Sequence, residues 1–121
     1  MLIETNYLLF TGGVPIEDNN FAGIGATVPG KAGERFASVR EGVLAHLQHL
    51  LTYAGVSVAD PAAQRTVKLQ NTIHRKMMEL GRLVTFKDLA ALWTGTDKNT
   101  YAASIQRTAK AYSDRFCAAR P

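Results

Sequence analysis

The stretch Asn19-Asn20-Phe21-Ala22-Gly23-Ile24-Gly25 combines an amide pair, an aromatic ring and two glycines. Glycine lets the backbone turn tightly and approach a ligand closely. The amides either hydrogen-bond a bound sugar or bond their own backbone and hold the turn. An acid, Glu4, precedes this bend in the mostly apolar segment 1–10. A carboxyl group on an apolar segment, followed by such a bend, is what a cleft that cleaves glycans requires.

The length suits one domain covering residues 1–121. The hydrophobic fraction is 46%, and the 14 basic against 10 acidic residues give a net charge of +4. That excess favours an anionic partner, although a basic surface kept for solubility fits equally well. Cys117 is the single cysteine, so no intrachain disulfide is expected. The sequence also contains neither a membrane-spanning run nor a signal peptide, so we expect no membrane insertion.

The pattern along the chain predicts a mostly α (α+β) fold. Residues 1–10 are interpreted as the last turns of a helix that is truncated at its N-terminus. Residues 11–36 hold six glycines and two prolines, which predicts loops and a short hairpin rather than a helix. Four helical segments follow.

Local end signals place these helices, and Gly55 ends the first of them. Ser38 and Glu41 fit a capping box, as do Thr85 and Asp88. Asp60-Pro61 predicts another helix start, and a last helix runs from about 99 past 116. The first of the helices has one apolar face, made of Val43, Leu44, Leu47, Leu50 and Leu51.

Two glutamates are candidate catalytic groups. Glycosidic cleavage needs an acid to protonate the departing oxygen and a second group to stabilise the oxocarbenium-like centre. Glu4 is the candidate acid, because Ile3, Leu8 and Leu9 can surround it with apolar atoms. The alternative is an exposed glutamate on an amphipathic stretch. Glu34 is the candidate second carboxylate, and its alternative is an ordinary loop glutamate paired with Arg35 or with solvent.

The candidate substrate-binding residues are amides, rings and a glycine. Asn20 and Phe21 would contact sugar, with Gly23 allowing close approach. Trp93 and Tyr101 flank the loop 94–97, and the tyrosine hydroxyl would orient a water or a carboxylate. For each aromatic residue the alternative is an ordinary core position.

Histidines and basic residues are the remaining candidates for binding a metal ion or an anion. His46 and His49 have helical spacing, but no further ligand completes a metal set, so we expect surface or half-buried residues and no metal or other cofactor. The basic set Arg65, Lys68, Arg75 and Lys76 is interpreted as a solvated face.

These motifs together resemble a known family. Five pieces of the sequence carry the resemblance: Ile3-Glu4-Thr5, the bend 19–25, and the segments 36–43, 88–93 and 101–105. Together they look like the glucosaminidase domain of glycoside hydrolase family 73. This domain is found in bacterial autolysins, flagellar muralytic domains and phage lysins. The resemblance implies a lysozyme-like helical domain with a small glycine-rich β-lobe. It also implies cleavage of the β-1,4 bond after N-acetylglucosamine in peptidoglycan, an endo-β-N-acetylglucosaminidase activity.

The resemblance also assigns roles and a place of action. Glu4 matches the family's catalytic glutamate, Tyr101 its tyrosine, and Glu34 is the nearest match to its second acid. The partner would be peptidoglycan glycan strands, met outside the cell, in the wall or in the periplasm, by a chain that is part of a longer protein or a phage product.

Two other functions compete with hydrolysis. A non-catalytic glycan-binding module would keep Asn20, Phe21 and Trp93 but would release no reducing ends. A small basic nucleic-acid-binding protein would use the positive charge, but it leaves the glycine-rich lobe unexplained, so we expect no nucleic-acid partner. The sequence does not predict an oligomeric state.

Overall fold

The structure, a computed structural model, describes residues 1, 3–6, 8–26, 30–93 and 98–117. The described residues form α-helices and two short 3₁₀ helices, Ile16–Asp18 and Gln64–Thr66, without any strand. This confirms a mostly helical protein, whereas the β-lobe stays a prediction. The α-helices are α1 (Val39–Tyr53), α2 (Val67–Met78), α3 (Phe86–Trp93) and α4 (Lys98–Phe116).

The chain divides into two compact units, Met1–Leu83 and Val84–Pro121. The first unit contains α1 packed on α2, and the second contains α3 packed on α4. A single domain over residues 1–121 stays a prediction. None of the helices in the described part of the chain is long and apolar enough to cross a membrane.

The start and end of α1 agree with the local signals. The Ser38 hydroxyl accepts a hydrogen bond from the Glu41 N–H (3.2 Å), and the Glu41 carboxylate accepts one from the Ala37 N–H (2.9 Å). This reciprocal arrangement satisfies N–H groups that the first turn leaves without partners. Beyond the other end, Gly55 adopts a left-handed conformation (φ 79°) that glycine accepts without strain. The capping-box prediction is therefore confirmed.

The expected apolar face of α1 is not the face it buries. Leu44, Leu47 and Leu51 are all exposed, while the buried side of the helix consists of small and polar residues. Gly42 explains this choice, because a Cβ built on it would lie only 1.8 Å from the carbonyl oxygen of Asn19. The backbone of the bend thus packs against the first turn of α1, at the position where Gly42 has no side chain. The buried residues are Gly42, Ala45, His46, His49, Thr52 and Tyr53.

The helix start predicted at Asp60-Pro61 is wrong, since α2 begins at Val67. The side chain of Gln48, on α1, donates to the Asp60 carbonyl (3.1 Å) and accepts from the Ala62 N–H (2.7 Å). These two long-range bonds hold residues 60–62 in a non-helical conformation. The Asp60 carboxylate accepts from the Gln64 side chain (3.4 Å).

The described part of the second unit consists mainly of the helices α3 and α4. The Thr85 hydroxyl accepts from the Asp88 N–H (3.4 Å) and the Asp88 carboxylate accepts from the Thr85 N–H (2.9 Å), which confirms this capping box. The predicted loop 94–97 lies outside the described residues. Among the residues of this unit whose burial is described, Leu89, Ala90 and Ala102 are buried.

Candidate active site

Glu4 lies half-buried in a compact turn at the start of the first unit. Its neighbour Thr5 is buried and closes this turn: the Thr5 N–H and hydroxyl both donate to the Met1 carbonyl (3.1 and 3.0 Å), and the hydroxyl accepts from the Leu8 N–H (2.9 Å). Asn6 and Leu8 then take left-handed conformations. The described residues of segment 1–10 therefore form successive turns rather than the end of a helix. A buried threonine beside the glutamate is what fixes the backbone there.

The charge of Glu4 lies near Tyr53, the last residue of α1. Burial raises the pKa of Tyr53 to about 12, and the nearby charge of Glu4 adds to the same shift. Burial likewise lowers the pKa of the Met1 amino group, and Glu4 opposes that shift. Glu4 thus lies near the buried Tyr53 side chain and the Met1 amino group.

Two buried histidines, His46 and His49, lie on the same side of α1 as Tyr53. Burial lowers the pKa of both His46 and His49 to about 4, with the Met1 amino group and His49 adding to the effect on His46. Both imidazoles are therefore neutral at pH 7. The His49 and Tyr53 rings meet edge to face with centroids 5.2 Å apart. The expectation that these two histidines lie at or near the surface is wrong, because their side of α1 is the one that packs.

Asn20 is the centre of the bend. Its side chain is 1% exposed, its Nδ2 donates to the carbonyls of Ile24 (2.9 Å) and Glu34 (3.0 Å), and its Oδ1 accepts from the Ile24 N–H (2.9 Å). Its amide therefore bonds backbone, as the turn-holding alternative expects. A Cβ on Gly33 would lie 2.9 Å from Nδ2, so glycine is needed beside this network. A direct contact between Asn20 and sugar would need these bonds to break.

Phe21 and Gly23 present different surfaces. The Phe21 ring is buried and meets the Phe10 ring edge to face, with centroids 5.8 Å apart, so it connects the bend to the segment that carries Glu4. The structure thus places Phe21 in the core. Gly23 has a left-handed backbone (φ 63°), and a Cβ there would meet nothing within 4 Å. The backbone at Gly23 is therefore open to an approaching ligand.

Glu34 is buried rather than exposed in a loop. The residue is 5% exposed, and its Oε1 lies in the interior without a hydrogen-bond partner among the described residues. Its backbone is fixed, since its N–H donates to the Ile24 carbonyl (2.7 Å). Arg35 pairs with Asp18 instead (2.7 Å), so the alternative of a Glu34–Arg35 pair or a solvated carboxylate is wrong. A buried carboxylate oxygen that lacks a partner is costly and calls for an explanation.

Trp93 and Tyr101 belong to the second unit. Trp93 ends α3, Tyr101 lies in the first turns of α4, and both are half-buried. The first unit holds the other five candidates, namely Glu4, Asn20, Phe21, Gly23 and Glu34. The contribution of Trp93 and Tyr101 to a common site stays a prediction.

Two further features bear on ligands. No three His, Cys, Asp or Glu residues in the described part of the chain are grouped so that they could hold a metal ion. A cavity with a volume of about 20 Å³, enough for one water molecule, lies between the end of α1 and α2, away from the candidate residues. Its lining includes Thr52, Val58, Gln70 and His74.

Comparison with known proteins adds one relative. The chain is 48% identical over 54 residues to an uncharacterized protein of Borreliella burgdorferi (strain ATCC 35210 / DSM 4680 / CIP 102532 / B31), a match that covers 45% of this chain and 26% of that protein. The chain therefore spans about a quarter of the length of this relative. No protein-family profile and no solved structure matches the chain.

Proposed function

We propose that this chain is a peptidoglycan hydrolase domain of the endo-β-N-acetylglucosaminidase type, with Glu4 as the general acid. One observation carries the proposal: the first unit withdraws two carboxylates from solvent, Glu4, which is half-buried, and Glu34, which is buried beside the asparagine-centred bend. Proteins rarely bury carboxylates without a reason, and paired carboxyl groups are what glycosidic cleavage requires. The motif resemblance supports the same reaction and the lysozyme-like arrangement with a small β-lobe.

In this proposal, Glu4 donates its proton to the oxygen of the departing sugar. The buried histidines of α1 add no charge to this unit, because burial keeps His46 and His49 neutral at pH 7. Glu34 stabilises the positive charge that develops on the sugar ring. Tyr101 orients a water or a carboxylate. The site of action is peptidoglycan, outside the cell, in the wall or in the periplasm.

Glu4→Gln tests the general acid. The amide keeps the size of the side chain but donates no acidic proton, so we expect release of reducing ends from purified peptidoglycan to fall at least ~100-fold. The melting temperature should stay close to that of the parent protein. Glu79→Gln is the matched control, because it removes the same charge from an exposed residue that follows α2.

Two outcomes would contradict this assignment. Equal reducing-end release by parent and Glu4→Gln would remove Glu4 from the mechanism. Tight binding of the parent to peptidoglycan without any reducing ends would instead identify a glycan-binding module.

Glu34→Gln separates the second carboxylate from an ordinary buried residue. An amide lacks the charge that burial penalises, so stability should change by no more than about 1 kcal/mol or should rise. Activity should nevertheless fall by ~10-fold or more, because the charge on the sugar ring loses its counterpart. Reducing-end release and urea unfolding on the same preparation measure both effects. Unchanged activity of the folded variant would exclude Glu34.

A further inference from the structure

The outer face of α2 carries a row of cations, Lys68, Arg75 and Lys76, which we call the basic stripe. Gln70, Ile73 and Met77 are the buried residues of this helix, and their spacing places the basic stripe on the opposite side. All three cations are exposed. The stripe is therefore a surface feature of the first unit and not part of its core.

The cations of the stripe have no counter-ions within the described structure. Ion pairs do form elsewhere in the described residues, between Arg35 and Asp18 (2.7 Å) and between Lys110 and Asp114 (2.8 Å). None of the three stripe side chains forms an ion pair or a hydrogen bond with a described residue. Three positive charges on one helical face thus remain available to an external anion.

Helix stability does not account for the whole stripe. Arg75 and Lys76 lie in the last turn of α2, where the helix dipole favours cations. Lys68 is the second residue of the helix, at the end where a cation is disfavoured. The helix dipole therefore does not explain the position of Lys68.

We propose that the basic stripe binds a phosphate-bearing anionic polymer of the bacterial wall and so retains the hydrolase on its substrate. This inference rests on the proposed function. Arginine binds phosphate through two parallel N–H···O hydrogen bonds, and lysine contributes a point charge. Single-stranded nucleic acid fits less well, because α2 has no Phe, Tyr or Trp on which a base could stack.

The experiment compares the parent with a Lys68→Gln/Arg75→Gln/Lys76→Gln variant. Co-sedimentation is measured on walls that retain their phosphodiester polymer and on walls stripped of it by acid. We expect the variant to bind polymer-bearing walls ~10-fold more weakly at low salt, and the parent to lose this advantage as salt rises. On stripped walls the two proteins should bind equally. Lys87→Gln/Arg107→Gln/Arg115→Gln is the control, with the same charge change in the second unit.

Two further measurements keep the test decisive. Lys68→Arg/Arg75→Lys/Lys76→Arg conserves the charge and should retain binding. Inorganic polyphosphate should displace the parent from polymer-bearing walls, which tests the stripe without any substitution that alters folding. Equal binding by parent and neutralised variant, or equal loss in the control, would overturn the proposal, as would tighter binding to duplex DNA than to the wall polymer. Reducing-end release from stripped walls tests hydrolysis separately, so failure of one idea is distinguishable from failure of the other.

Discussion

The two faces of α1 differ in a way that hydrophobicity alone does not explain. One face carries Leu44, Leu47 and Leu51 and is exposed, whereas the other carries His46, His49 and Tyr53 and is buried. Leucine burial would contribute more per side chain. The buried face nevertheless receives the bend, since Gly42 is the position on α1 where another backbone can approach. The side of α1 that is buried was therefore decided by where the bend could approach the helix, and not by where the leucines lie.

Acidification should have the largest effect on stability, because it charges the histidines of the buried face and leaves the leucines of the exposed face unchanged. The folded-state pKa of His46 and His49 is about 4, against 6.5 in the unfolded chain. The unfolded state therefore binds more protons as the pH falls from 6.5 towards 4, and stability is lost in that window. Each histidine should account for on the order of 3 kcal/mol.

Urea unfolding at pH 7, 5.5 and 4.5 measures this loss. A His46→Gln/His49→Gln variant removes both titrating groups and should lose much less stability over the same range. Parallel losses in parent and variant would show that other groups cause the acid sensitivity.

Gly42→Ala should have the next largest effect. The added Cβ would lie 1.8 Å from the Asn19 carbonyl oxygen, so the bend must move away from α1. We expect a loss of about 3 kcal/mol in the free energy of unfolding. Gly13→Ala is the control, because a Cβ there meets nothing within 4 Å, and it should be neutral. A tolerated Gly42→Ala would mean that the bend does not pack on α1 in this way.

Leu47→Gln should have the smallest effect. Leu47 is 55% exposed, so its replacement should change stability by less than about 1 kcal/mol. Ala45→Leu, on the buried face of the same helix, should cost about 1–3 kcal/mol because the site has no spare volume. If Leu47→Gln were the more damaging of the two, the leucine face would be covered in solution.

The candidate site was predictable in its residue types more than in its contacts. The sequence identified Glu4, Glu34 and the bend as unusual. It left open whether the Asn20 amide bonds sugar or backbone, and it did not indicate that the two α1 histidines would be buried. The histidine spacing of three was visible, but spacing does not tell which side of a helix is packed. The role of Thr5 also needed the structure, because its bonds depend on the turn that it closes.

Local signals alone determined the helix ends at Ser38–Glu41, Thr85–Asp88 and Gly55, because those bonds and dihedral angles involve residues a few positions apart. Asp60-Pro61 carried an equally good local signal, but two bonds from Gln48, twelve and fourteen residues away, outweighed it. The buried face of α1 was likewise decided by a distant backbone, that of Asn19 against Gly42. Short-range hydrogen bonding could thus be read from neighbouring residues, whereas the choice of buried surface depended on segments that meet only when the chain is folded.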